Sequence, residues 1–92
     1  VNKALATDKS TASFYDTKGW VLSLQNKYQQ GLNSLRQANA MDDNNASNKY
    51  HIAYTLAKLG RKKEALIEVN AALAIDGVFK EKQLALKLKA TL

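Results

Sequence analysis

The sequence predicts an all-α fold built from repeated helical hairpins, and three observations lead to that prediction. The chain resembles itself at an offset of 34 residues, which aligns Ala4 with Ala38 and Ala72. The strong helix formers Ala, Leu and Lys are the most frequent residue types, and Pro is absent. Asn26 and Gly60 occupy matching positions, and both residue types tolerate the left-handed backbone conformation that ends a helix. A helix-turn-helix period of this length is typical of an array in which each unit packs on the next.

The offset divides the chain into one domain with four parts. Further pairs at the same offset are Asp8 with Asp42 and Asp76, Leu22 with Leu56, Leu35 with Val69, and Met41 with Ile75. We expect the domain to span residues 1–92. Its parts are the end of a truncated preceding repeat at 1–8, a first repeat at 12–45, a second at 46–79 and a C-terminal capping helix at 78–92.

Each full repeat is predicted to hold two helices. Apolar spacing places them at about residues 12–25 and 28–41 in the first repeat, and at about 46–59 and 62–75 in the second. Asp8, Ser10 and Thr11 are candidate N-cap residues of the first helix. The last segment alternates apolar and polar residues from position 87, as a strand would. Helix is favoured because a lone strand would have no partner and because repeat arrays need a terminal cap.

Composition limits the classes of function. The chain is 46% hydrophobic and 24% charged, as expected of a globular domain, and it contains no Cys. Disulfides, thiolate catalysis and cysteine metal sites are therefore excluded. The net charge of +6 and the pI near 9.7 allow an acidic partner, which could be a protein, an anionic polymer, a membrane surface or nucleic acid. Charge alone does not distinguish among these partners. No apolar run approaches the roughly 18–20 residues that a membrane span requires.

The chain resembles the tetratricopeptide repeat family over nearly its whole length. That family places small side chains where neighbouring helices approach closely, and the matching residues here are Gly19, Gly31 and Ala38 in the first repeat and Ala53, Ala65 and Ala72 in the second. The resemblance implies an α-α superhelix whose first helices line a concave groove for a peptide or helix of a partner protein.

A narrower resemblance comes from longer strings. DTKGWVLSLQNKYQQGL and KYHIAYTLAKLGRKKEAL look like the last repeats of bacterial envelope proteins of the PEP-CTERM/exosortase and exopolysaccharide-export systems, and FKEKQLALKLKATL is similar to their capping helix. This resemblance implies a fragment of a larger bacterial scaffold, located in the periplasm or envelope.

The family resemblance assigns the groove position by position. The implied groove residues are Ser13, Asp16, Trp20 and Ser23 from the first repeat, Ser47, Tyr50, Tyr54 and Lys58 from the second, and Leu84 and Leu88 from the last helix. Aromatic rings suit recognition because each supplies a large contact area with few rotors to freeze. An equally weighted interpretation is that Trp20 and Tyr50 are partly buried structural residues. The family's carboxylate clamp is absent, because Ser13, Thr17, Ser47 and His51 occupy its positions.

A basic surface is the main alternative site. It consists of Lys58, Arg61, Lys62 and Lys63 near the turn between the helices of the second repeat. These residues could hold an acidic polymer such as an exopolysaccharide or nucleic acid. Solvated helix faces, with favourable charge near a helix end, are the preferred explanation. We do not expect nucleic acid, since no recognised binding motif accompanies the charge.

Catalysis is not predicted. His51 is the only His, and no Gly-rich phosphate loop or catalytic carboxylate pair is present. Asp42 and Asp43 lie where helix capping explains them, so we predict no metal, cofactor or small-molecule substrate. The expected function is a non-catalytic protein-protein interaction. The other alternative is a spacer or dimerisation module that uses an exposed stripe on the last helix.

Overall fold

The computed structural model of the chain describes residues 9–75 and 79–92. These residues form five helices and no strand, which confirms the all-α prediction. The helices are α1 (Lys9–Leu24), α2 (Tyr28–Met41), α3 (Ala46–Lys58), α4 (Lys62–Ile75) and α5 (Lys82–Thr91). The predicted end of a preceding repeat at 1–8 and the candidate cap Asp8 lie outside the described residues.

The helices are arranged as two hairpins followed by one more helix. α1 packs along α2, α3 packs along α4, and the two pairs meet where α2 contacts α3. α5 packs on α4. Within the two described ranges, no helix is both long enough and apolar enough to cross a membrane.

The two hairpin turns have the same backbone geometry. Asn26 has φ 68° and Gly60 has φ 81°, so both residues adopt the predicted left-handed conformation. In the first turn the Lys27 N–H donates to the Leu22 carbonyl at 2.9 Å. In the second turn the Arg61 N–H donates to the Leu56 carbonyl, also at 2.9 Å. These bonds form a Schellman motif, which satisfies carbonyls that the end of a helix leaves unpaired.

Two glycines allow α1 and α2 to cross at close range. A Cβ atom added at Gly19 would lie 2.7 Å from the Gly31 carbonyl oxygen and 2.7 Å from a carbon of Leu35. One added at Gly31 would lie 2.7 Å from the Gly19 carbonyl oxygen and would also overlap the Ser23 hydroxyl. The small residues at these positions are therefore required by backbone contact. This agrees with the packing reason given for them from the sequence.

Two apolar clusters form the core of the described residues. The first joins α2, α3 and α4 through Leu32, Leu35, Ile52, Leu56 and Ala65. The second consists of Tyr50, Ala53, Val69 and Ala85, with Trp20, Tyr54, Leu73, Phe79, Leu88 and Leu92 packed around it. Because the second cluster includes residues from α1, α3, α4 and α5, it places α5 beside α3.

The ends of two helices differ from the sequence prediction. The described part of α1 starts at Lys9, before the predicted start near Ala12, so Ser10 and Thr11 lie within the helix and do not precede it. α5 begins at Lys82, which makes the capping helix shorter than the predicted 78–92. Phe79, just before α5, packs against the second cluster instead of continuing the helix.

We predict that Gly31→Ala lowers the free energy of unfolding by about 1–3 kcal/mol, because the new methyl group overlaps the α1 backbone. The greater helix propensity of Ala opposes this loss by at most about 1 kcal/mol. Urea denaturation followed by circular dichroism measures the difference.

Gly60→Asn is the matched control. A Cβ atom at Gly60 would have no neighbour within 4 Å, and Asn26 already adopts the same backbone conformation in the other turn. Because Asn at a positive φ carries some backbone strain, this control should cost about 1 kcal/mol or less. If Gly31→Ala stabilised the protein, the close approach of α1 and α2 would be contradicted.

Candidate functional site

Four ring side chains gather where α1 meets α3, and we call them the aromatic cluster: Trp20, Tyr50, His51 and Tyr54. The Trp20 ring stacks on the His51 imidazole, with centroids 4.2 Å apart and planes inclined by 20°. Tyr54 meets Trp20 edge-on at 5.0 Å. Trp20 and Tyr54 are partly exposed, whereas Tyr50 and His51 are buried. The cluster therefore has a buried layer and an outer layer, and a partner could contact only the outer one.

His51 is held at both of its ring nitrogens by carboxylates. Nδ1 lies 3.0 Å from each carboxylate oxygen of Asp16, and Nε2 lies 3.2 Å from Oε2 of Glu81. The imidazole side chain is only 7% exposed. A protonated imidazole donates to both acids at once, whereas a neutral one can donate to only one of them. We call Asp16, His51 and Glu81 the carboxylate-histidine network.

Helical spacing brings Asp16 and Trp20 to the same imidazole. The two residues are four positions apart on α1, so their side chains lie one turn apart on one face. Asp16 contacts the edge of the ring and Trp20 covers its flat side. Asn48, one turn before His51 on α3, also donates to Asp16 at 2.8 Å. The resulting contacts fix the position of α3 against α1.

Glu81 joins the start of α5 to the same point. Its Oε1 accepts a hydrogen bond from the Ser47 hydroxyl at 2.6 Å, while Oε2 faces His51. The acids are largely shielded from solvent, since the Glu81 side chain is 16% exposed and that of Asp16 is 17% exposed. Charge-assisted hydrogen bonds of this kind are shorter and stronger than neutral ones. One imidazole thus connects α1, α3 and the residue that precedes α5.

Comparison with protein-family models, curated proteins and solved structures finds no match to this chain. The family resemblance and the groove that it implies therefore stay predictions. The function of the site has to be interpreted from its own geometry.

The predicted groove residues fall into an exposed set and an enclosed set. Lys58 and Ser13 are exposed, Leu84 is 50% exposed, and Trp20 and Tyr54 are partly exposed. The others are held in contacts within the fold, and these are Asp16, Ser23, Ser47, Tyr50 and Leu88.

Two of the predicted groove residues need correction. Ser23 is fully buried, and its hydroxyl lies 2.8 Å from the Thr55 hydroxyl, so it cannot meet a partner. Tyr50 is 5% exposed and belongs to the second core cluster, which favours the structural interpretation of this residue. Burial raises the pKa of the Tyr50 phenol above its ordinary value, and nearby Tyr54 and Glu81 raise it further. Tyr50 therefore stays neutral at physiological pH.

A polar cavity of about 400 Å³ lies beside the start of α3. Ser13 and Ser47 line it together with Asp42, Asn44, Asn45, Ala46, Ile75 and Phe79. The loop is organised by local hydrogen bonds, because Asn45 caps α3 through the Asn48 N–H and Asp42 accepts from the Asn44 N–H. The side chains of the carboxylate-histidine network bond one another, and no group of three or more His or acidic side chains in the described part of the chain could hold a metal ion.

The residues of the predicted basic surface are exposed, but one of them, Arg61, is already ion-paired within the fold. Arg61 forms a bidentate pair with Glu64, at 2.6 and 2.9 Å, and Arg36 lies 3.8 Å from the same carboxylate. The Arg61 hydrogen bond lowers the pKa of Glu64. The Lys58 ammonium lies 5.4 Å from the centroid of the Tyr54 ring. Lys58 of the basic surface therefore also contacts the aromatic cluster.

Sequence reasoning missed the role of His51 and did not select Glu81. One signal could have pointed to Glu81, because it lies 34 positions after Ser47, to which it is bonded. Successive units of a repeat array contact each other, so equivalent positions can lie close together. Polar pairs at the repeat offset are therefore candidates for contacts between neighbouring helices.

We predict that Glu81→Ala loosens α5 and lowers the free energy of unfolding by about 1.5–3 kcal/mol, because charge-assisted bonds to Ser47 and His51 are lost. Amide hydrogen exchange across α5 and urea denaturation measure the two effects. Glu68→Ala is the control, since no described residue pairs with that carboxylate. Equal exchange rates in α5 for the wild type and Glu81→Ala would show that the bonds at Glu81 do not hold this helix.

Proposed function

We propose that the chain is a tetratricopeptide-type interaction module that binds a peptide or helix of a partner protein on the face formed by α1, α3 and α5. The observation that carries the proposal is the Trp20–Tyr54 pair. These two large rings come from different helices, and their centroids lie 5.0 Å apart while both residues remain partly exposed. Aromatic side chains positioned in this way are the residue type that most often dominates a protein interface.

Three features support the array on which this proposal depends. The Schellman turns at Asn26 and Gly60 are spaced by the repeat offset. Small residues occupy the contact between α1 and α2. The second hairpin then packs on the first through α2 and α3. In such an array, the first helices of successive units lie side by side and form one binding face.

The rigidity of the face supports a binding role. The Trp20 ring is fixed by its stacking on His51, which in turn is held by two carboxylates. A preorganised surface loses less conformational entropy on binding than a mobile one. The same contacts argue against catalysis by this residue, since both nitrogens of His51 are engaged within the fold. We therefore propose a module that acts without cofactor or small-molecule substrate.

The biological setting proposed here rests on the sequence resemblance. It is a bacterial envelope or periplasmic scaffold connected with PEP-CTERM proteins and exopolysaccharide export. In that setting the module would hold one protein component of the assembly in place.

Two observations favour secondary candidates. Lys58, Lys62 and Lys63 are exposed and have no carboxylate partner among the described residues, which favours an acidic polymer as ligand. On α5, Leu84 and Leu86 are 50% and 41% exposed, which favours dimerisation through this helix. The first candidate predicts that ligand binding weakens as the salt concentration rises. The second predicts that the fraction of dimer rises with protein concentration.

We predict that the double variant Trp20→Ala, Tyr54→Ala no longer binds the partner protein. Removing an interface anchor costs about 2 kcal/mol or more in binding. A pull-down from lysate and envelope extract of the source cell compares this variant with the wild type. Both proteins are first shown to melt cooperatively.

Phe14→Ala is the matched control, because Phe14 is an aromatic residue on α1 that is 62% exposed and lies outside the aromatic cluster. A protein retained by the wild type and by Phe14→Ala, but not by the double variant, supports the binding face. If all three proteins retain the same material and release it in moderate salt, the acidic-polymer candidate replaces the proposal.

A further inference from the structure

We infer that the partner segment is acidic as well as apolar, with a carboxylate that meets Lys58 while a neighbouring apolar side chain rests on Trp20 and Tyr54. This inference rests on the proposed function and adds the chemical class of the partner. It comes from the distribution of paired and unpaired charge across the face.

The two acids beside the rings, Asp16 and Glu81, already have a partner within the fold at every carboxylate oxygen. Both oxygens of Asp16 face His51, and one of them also accepts from Asn48. Both oxygens of Glu81 are engaged, one by Ser47 and the other by His51. Each of these carboxylate side chains is less than one-fifth exposed. A basic segment would therefore find its natural counter-charges shielded and already bonded.

Unlike these two acids, Lys58 carries a charge that is exposed and unpaired among the described residues. Its side chain is exposed, and no carboxylate among the described residues lies within ion-pairing distance of it. Its position over the Tyr54 ring is a cation-π contact, which orients the ammonium but does not neutralise it. Lys58 also lies in the last turn of α3, where a positive charge interacts favourably with the helix dipole. Both interactions leave ammonium N–H donors free for an incoming carboxylate.

The geometry predicts a sequence pattern in the partner. Tyr54 and Lys58 are four residues apart on α3, so the apolar platform and the cation are about one helical turn from each other. A helical partner would match them with an apolar residue and an Asp or Glu three or four positions away. An extended partner would use a spacing of two, because alternate side chains point to the same side. The net charge of +6 favours the approach of such a segment at long range.

A displayed library of random short peptides, selected on the immobilised wild-type chain, tests this inference. The expected result is enrichment of peptides that combine an aromatic or aliphatic residue with Asp or Glu at these spacings. Lys58→Glu should bind the enriched peptides roughly tenfold more weakly and should itself select Lys or Arg in place of the acid. Lys63→Glu changes the net charge equally at an exposed position on α4, so it should leave the selection unchanged.

Three other outcomes would overturn the inference. Peptides that need Trp20 and Tyr54 but show no acidic preference would refute the acidic partner and leave the binding face standing. Acidic peptides lost equally with Lys58→Glu and Lys63→Glu would indicate attraction by net charge, as for an acidic polymer. Failure to enrich any peptide that depends on Trp20 would count against both the inference and the proposed function.

Discussion

The described structure depends on one imidazole held between two carboxylates. One ring nitrogen of His51 is bonded to Asp16 of α1, and the other is bonded to Glu81, which precedes α5. The Trp20 ring stacks on the imidazole. Removing either acid would leave a buried polar group without its partner, which costs more than an exposed bond is worth. The remaining contacts between α1 and α3 are few compared with those inside each hairpin. This network therefore sets how the first helices of the two units lie beside each other.

The same interaction gives the face its chemical character. By engaging Asp16 and Glu81, His51 withdraws two negative charges from the surface and leaves Lys58 as the accessible charge next to the rings. By stacking on Trp20, it covers one side of the indole, while the residue as a whole stays partly exposed. Structural and binding roles are thus divided within one cluster. His51 and Tyr50 form its buried layer, and Trp20 and Tyr54 form its outer layer.

The sequence was most informative where structure is determined locally. The turns at Asn26 and Gly60 could be predicted because a helix end depends on a residue that tolerates positive φ. The network could not be predicted, because Asp16 and Glu81 lie 35 and 30 residues from His51 and their residue types are common on surfaces. Ser23 was placed in the groove by the family resemblance, which assigns positions without regard to the contacts of this chain. Its burial follows from the Gly19–Gly31 crossing, a tertiary contact that no local pattern specifies.

The most direct test of this account is a nuclear Overhauser experiment on the isotope-labelled chain, focused on the single His and the single Trp. Strong cross-peaks are expected between the ring protons of His51 and those of Trp20, because the two rings are stacked with centroids 4.2 Å apart. Those cross-peaks should weaken in a Glu81→Ala variant, which removes one of the two acids that hold the ring. A His51 ring without contacts to Trp20 in the wild type would contradict the arrangement of α1, α3 and α5 on which the binding face depends.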